Sequence, residues 1–123
     1  MYKVYFYQSA SGNTPFESYI QQLSNKRKEE EIFHILIYLE KLKEFGFAMN
    51  EKFRPNAFKK IRDGIYELRP SSSRIFFFAY VNDTFVILHG WEKKRQKTDP
   101  KEIEKAVKEK NRYLKEQQNA RSN

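Results

Sequence analysis

Apolar and polar positions alternate from Tyr2 to Tyr7, which predicts a first or edge strand. Ser11-Gly12-Asn13 is a turn. Thr14 then stands as a helix N-cap, with Pro15 at the first helical position and Glu17 completing a capping box. Phe16, Tyr19, Ile20 and Leu23 recur at helical spacing, and Ser24-Asn25 interrupts them. A second helix is expected from about Lys26 to Phe45, burying Ile32, Ile35, Leu36, Leu39 and Leu42, with Gly46 just past its end.

From Phe58 the period changes to two. Asp63-Gly64 is a type I′ hairpin signal between Phe58–Arg62 and Ile65–Arg69. Pro70–Ser73 makes the next turn, Arg74–Val81 a strongly apolar strand, Asn82-Asp83 a turn, and Thr84–Trp91 the returning strand. A last helix opens on Asp99 as N-cap and Pro100, and its narrow apolar stripe is Ile103, Ala106, Val107 and Leu114. The pattern predicts one α+β domain over residues 1–117, in the order β-α-α-β-β-β(-β)-α. An antiparallel meander packs on the two N-terminal helices and the C-terminal helix, and residues 118–123 form a frayed tail.

Composition narrows the classes. A chain of 123 residues, 39% hydrophobic and 16% aromatic, is a folded domain and not a disordered segment. With no cysteine, disulfides and thiolate metal sites are excluded. Neither a signal-peptide pattern nor a membrane-length apolar run is visible, so a soluble protein of the cytoplasm is expected. The net charge of +8 is unevenly spread. Residues 1–51 carry six Lys and Arg against seven Asp and Glu, whereas residues 52–78 carry seven against two and residues 92–123 eleven against six. A basic half on a balanced domain suggests a polyanionic partner, although a lysine-rich solvated surface has the same composition.

The strands allow side chains to be placed. If the Pro70–Ser73 loop is symmetric, Arg69 and Arg74 face each other, where like charges cost about 0.2–1 kcal/mol. A phosphate between them would remove that cost, so replacing either arginine is expected to leave the fold intact or steadier. With two-residue turns at Asp63-Gly64 and Asn82-Asp83, Lys60 pairs with Glu67, Arg62 with Ile65, Phe76 with His89 and Arg74 with Trp91. One end of one face then carries Lys60, Arg62, Arg69, Arg74, His89 and Trp91, and grades into a core of Phe78, Tyr80, Phe85 and Ile87. A basic, aromatic-edged hollow beside a core suits a nucleotide. A lysine among these cations should have a lowered pKa, which suits it to act as a base. Each residue also has a plainer reading: arginines tied to Glu67 and the acidic first half, a satisfied semi-buried His89, a core Trp91, a solvated Lys93–Lys97 loop.

Other chemistries fit poorly. His34 and His89 alone make no zinc cluster, and His34 lies on an apolar helix where a structural role suffices. No run of carboxylates suits two magnesium ions, no glycine-rich phosphate loop is present, and Ser71 to Ser73 lack a triad pattern.

The stretch Lys59 to Arg69, ending Gly64-Ile65-Tyr66-Glu67-Leu68-Arg69, and then Arg74-Ile75 opening an aromatic strand, resembles the RelE/HigB toxin superfamily. Within it, the resemblance is to the phage-derived host-inhibition branch. Leu88-His89-Gly90-Trp91-Glu92-Lys93-Lys94, then Gln96-Lys97-Thr98 and Pro100-Lys101-Glu102-Ile103, is similar to the same branch. The likeness covers nearly the whole chain, most specifically residues 58–107, and implies a RelE-like fold.

It also implies a type II toxin of a toxin–antitoxin system. Such a protein is an endoribonuclease that cuts messenger RNA, usually on the ribosome, and so inhibits translation. It needs no metal or other cofactor: a 2′-hydroxyl attacks the adjacent phosphorus. The implied partners are a cognate helix-turn-helix antitoxin of the HigA kind, messenger RNA and the ribosome, with DNA reached only through the antitoxin and no membrane. Arg74 matches the arginine that grips the scissile phosphate, and Arg69 the arginine ending the preceding strand. The lysine ahead of the turn is Lys59 by spacing and Lys60 by the face argument. Lys93-Lys94 stands where some relatives have tyrosine or histidine, with His89 slightly earlier, so the general acid and base stay open. The expected catalytic set is therefore Lys59, Lys60, Arg69, Arg74, His89 and Lys94, with RNA contacts from Arg62, Trp91, Lys93, Arg95 and Lys97. Two other readings are a non-catalytic RNA- or ribosome-binding module and a phage protein that docks its basic face on a host partner.

Overall fold

In the computed structural model, which describes residues 1–122, the period-two segments form four consecutive strands. These are β2 (Phe58–Arg62), β3 (Ile65–Leu68), β4 (Ser73–Tyr80) and β5 (Thr84–Glu92), running as an antiparallel meander. β1 (Lys3–Phe6) joins beside β5, giving the sheet order β1-β5-β4-β3-β2. β1 runs parallel to β5, so the expected antiparallel meander is part of a mixed sheet. The chain between β1 and β2 supplies α1 (Pro15–Asn25), α2 (Glu29–Phe45) and the short α3 (Met49–Lys52), and α4 (Pro100–Ser122) follows β5.

Both sheet faces are covered, which is why β4 holds four consecutive buried residues, Ile75 to Phe78. Ile75 and Phe77 pack with Leu23, Ile35, Leu42 and Met49 on the side of α1 and α2. Phe76 and Phe78 pack with Ile65, Val86, Leu88 and Ala106 on the side of α4. Each such side chain contributes about 1.5–3 kcal/mol when fully buried. Gly90 allows α1 its close approach, since a Cβ there would lie 2.6 Å from Tyr19 Cδ2 and 2.7 Å from Ile75 Cδ1.

Several expectations are corrected. Thr14 occupies the N-cap position of α1, but its side chain makes no capping hydrogen bond. Leu36 is exposed, and Tyr38 is buried with Ile35, Leu39 and Leu42, because Leu36 stands about 100° round the helix from Ile35. α4 continues to Ser122, past the expected start of a tail at residue 118, through a run of helix-forming residues. Asn123 lies outside the described residues.

Two irregularities reset the registers. Asp63 and Gly64, with φ of 52° and 76°, make the two-residue turn, and Arg62 pairs with Ile65. A bulge between Lys60 and Arg62 then sets Lys59, not Lys60, opposite Glu67. At the other hairpin Tyr80 pairs with Thr84, so three residues and not two turn the chain. A shift between Ile75 and Phe77 compensates, so Arg74 still meets Trp91. Phe85 and Ile87 thereby face α1 and α2, and Val86 and Leu88 take the expected places beside Phe78.

Candidate functional site

Two anchors fix the basic end of the α4-facing side of the sheet. Asn50 grips the start of β2: its Nδ2 donates to the Phe58 carbonyl at 3.1 Å, and its Oδ1 accepts from the Phe58 N–H at 3.0 Å. Glu31 of α2 grips the loop before β4, since Ser72 Oγ and Ser73 Oγ donate to its Oε2 at 2.9 and 2.6 Å. Ser73 Oγ also lies 2.6 Å from the Tyr19 hydroxyl. Burial pushes the Glu31 carboxyl up, but hydrogen bonds from Ser73, Ser71 and Ser72 and the charge of His34 outweigh it, leaving the pKa below the ordinary value.

From the two ends of that loop, Arg69 and Arg74 converge on Glu67. The Glu67 carboxylate is wholly buried, with Oε1 3.6 Å from Arg69 Nε and 3.8 Å from Arg74 Nε. Its Oε2 accepts from the Thr98 hydroxyl at 2.8 Å. Arg74 Nη1 donates to the carbonyls of Ser71 and Ser73 at 2.9 and 2.8 Å. Burial, followed by the charge of Arg69, lowers the pKa of Arg74, while Glu67 opposes both. Four polar atoms here are buried without a hydrogen-bond partner: Glu67 Oε1, Arg69 Nε, Arg74 Nε and Trp91 Nε1. Two guanidiniums thus share one carboxylate, leaving a positive charge unbalanced in a poorly solvated setting.

Lys93 completes the cluster. Its N–H donates to the Ser72 carbonyl at 2.8 Å, which ties it to the same loop. Burial first, then the charges of Arg74 and Arg69, lower its pKa; Glu67 opposes them and Lys59 adds to them. A groove of about 340 Å³ opens here between Lys59, Glu67, Arg69, Lys93 and Lys97. On the other side of the arginines, Tyr38, Arg54 and Asn56 help line a hollow of about 410 Å³.

Of the expected residues, the structure gathers Lys59, Arg69, Arg74 and Lys93, with Trp91 opposite Arg74. Lys60 pairs with Tyr66, out of step with Lys59 and Glu67, yet it lines the groove together with Lys59. Arg62 is exposed at the hairpin tip, 2.7 Å from the Asp63 carboxylate, outside the cluster. His89 is also corrected. It is buried, with Nδ1 2.6 Å from Glu109 Oε1 and Nε2 3.0 Å from Glu102 Oε1, both on α4. With both ring nitrogens engaged, it fastens α4 to β5 and is no free acid or base at the groove. Lys94 and Arg95 line a separate hollow beyond Trp91, and Lys97 reaches both. His34 is half-buried beside Phe33.

Glu67 and Thr98 were missed as members of the site. An inward-facing carboxylate in an apolar strand was the signal for Glu67; Thr98 stood in the Gln96-Lys97-Thr98 segment of the resemblance, but no local pattern connected it with Glu67. Among the described residues, no group of three or more His, Asp or Glu is placed to hold a metal ion. Among the described residues no helix is long and apolar enough to cross a membrane. The arrangement suits a phosphodiester, because guanidiniums bind phosphate oxygens in pairs and a lysine of lowered pKa accepts a proton more readily near neutrality.

Residues 18–111 match the model of a protein family described as "Phage derived protein Gp49-like (DUF891)", a span that includes every residue of the cluster. No match was found among curated proteins.

Proposed function

The chain belongs to the phage-derived Gp49-like family, and from that premise we propose that it is a toxin of the RelE/HigB type that cuts RNA without a metal. The observation that carries this reading is the gathering of Arg69, Arg74 and a lysine of lowered pKa, Lys93, around the buried carboxylate of Glu67, with Arg69 and Lys93 lining one groove. Arg69 and Arg74 hold the non-bridging oxygens of the scissile phosphate. Lys93, as the neutral amine, takes the proton of the neighbouring 2′-hydroxyl while that oxygen bonds to phosphorus. The bond from phosphorus to the 5′ oxygen breaks, and Lys59, as the ammonium, delivers a proton to the departing oxygen. The products are a 2′,3′-cyclic phosphate and a 5′-hydroxyl end. The arginines stabilise the extra charge on the phosphorane, an effect of about 3 kcal/mol for one well-placed donor.

The resemblance adds the setting. The substrate is messenger RNA in the ribosomal decoding site, the consequence is arrested translation in the cytoplasm, and a helix-turn-helix antitoxin of the HigA kind is the partner. Inducible expression without a partner, with mapping of messenger RNA ends, tests the reading. Growth arrest and new 5′-hydroxyl ends are expected from the wild type and not from Arg74→Ala. Unimpaired translation in several bacterial hosts would overturn it. RNA binding with no new ends would leave a non-catalytic RNA-binding module in its place.

A further inference from the structure

A hollow of about 630 Å³, larger than either of those beside the arginines, plays no part in the chemistry above. It exists because β1 pairs with β5 only from Thr84 to Ile87, which leaves the outer edge of β5 open beyond that point. α1 walls one side and the start of α4 the other. Since the Lys93 N–H bonds back to Ser72, alternation along the strand turns the main-chain groups of Gly90 and Glu92 toward this open edge.

Its lining is lopsided in charge. Lys26, Lys94, Arg95, Lys97, Lys101 and Lys105 contribute six cations, and none of them makes an ion pair among the described residues. The three carboxylates present are already engaged. Glu92 lies 3.6 Å from Lys28 Nζ, Glu102 lies 3.0 Å from His89 Nε2, and Asp99 Oδ1 accepts from the Lys101 N–H at 2.9 Å. Trp91 adds an indole that packs on Phe76 at a centroid distance of 6.0 Å, and its buried Nε1 has no hydrogen-bond partner.

We propose that this hollow binds the nucleotide next to the cleaved linkage, with the base against Trp91 and the neighbouring phosphates among the six cations. The proposal rests on the RNA-cleaving reading and extends it to a second subsite. Trp91 sits directly opposite Arg74, so the hollow begins about 5 Å, one strand spacing, from the arginine that holds the phosphate. An aromatic plane set among unpaired cations is what single-stranded nucleic acid requires, because every base offers a π face and every linkage a charge. An acidic protein segment would use the cations and leave the indole without a role.

Trp91 is the only tryptophan in the chain, so its fluorescence reports on the hollow. The probe is a short 2′-O-methyl RNA oligonucleotide, which lacks a free 2′-hydroxyl and is not cut. Saturable quenching is expected, weakening as salt rises. The double variant Lys101→Glu/Lys105→Glu on α4, and independently Lys26→Glu on α1, should each bind about tenfold more weakly at low salt. All three lysines are exposed, and thermal unfolding checks that each variant is folded. Poly-glutamate should not quench. The subsite is overturned if the oligonucleotide binds with Trp91 fluorescence unmoved, if the reversed charges change nothing, or if poly-glutamate quenches equally well. Because the probe is uncuttable, the two readings fail separately. Quenching in a protein that cuts no RNA removes the nuclease and keeps the site, whereas cleavage without quenching removes the site alone.

Discussion

With one oxygen turned toward Arg69 and Arg74 and the other bonded to Thr98, the buried carboxylate of Glu67 sets the cost of every change around it. On the strand register alone the two arginines only repel, and removing one should steady the fold. With Glu67 between them the sign reverses. Arg74→Ala strips a partner from a buried anion and two hydrogen bonds from the loop. It is expected to lower stability by about 1–3 kcal/mol as well as to abolish cleavage. Glu67→Gln leaves two guanidiniums without their shared counter-charge and should cost a similar amount. Thermal unfolding paired with growth inhibition tests this; an Arg74→Ala protein that is steadier than wild type would contradict it. Lys93 makes a separate forecast. As a base it works when neutral, so the cleavage rate should rise with pH through its pKa, with a midpoint below the ordinary lysine value of 10.5. Arg74 is the largest charge depressing that pKa, so the midpoint should move upward in a residually active Arg74→Gln variant, measured on a model RNA.

The loop between β3 and β4 holds its shape because α2 reaches across to it through Glu31. The Glu31 pKa lies below its ordinary value of 4.5, because the serine hydrogen bonds outweigh burial. Its contribution is therefore fully present above the ordinary carboxylate value and is lost as the pH falls through the lowered folded value. Glu31→Gln should lower the melting temperature at neutral pH and flatten its decline on the acid side; an unchanged acid limb would show that the loop needs no such anchor. At this scale the reach of the sequence is also visible. Turn residues and period marked α1, α2, all five strands and α4, but not the short α3. Arg74 was correctly set opposite Trp91, although only because a bulge in β5 cancelled an error of one residue in the turn. The same kind of bulge in β2 went the other way and set Lys59, not Lys60, opposite Glu67. Bulges depend on how two faces pack at once, and a period-two pattern carries no trace of them. His89 escaped for a related reason: its partners Glu102 and Glu109 lie on α4, at distances in sequence that no local pattern connects.

For the molecule as a whole, folding turns a mild excess of basic residues into a localised field. The first 51 residues are nearly balanced and supply only Lys26, just past α1; the other cations that matter come from β2, the loop beside β4, the segment after β5 and the start of α4. All of them meet at one end of the sheet. Four cations surround the cleavage site (Lys59, Arg69, Arg74 and Lys93), and contacts to as many phosphates would give a salt slope of about −3 for single strands. The hollow beyond Trp91 adds six more, so an oligonucleotide long enough to reach it should show a steeper slope, returning toward about −3 when those six are neutralised. Neither term senses the sugar. Single-stranded DNA of the same length should therefore bind with a similar slope, yet remain uncut, because it has no 2′-hydroxyl to attack phosphorus. It should act as a competitive inhibitor of RNA cleavage, raising KM and leaving kcat alone. Anisotropy titrations over a range of salt, alongside cleavage assays with and without the DNA, measure both quantities. Cutting of the DNA strand would rule out the 2′-hydroxyl mechanism, and a flat salt dependence would show that the basic end of the sheet does not meet the phosphates.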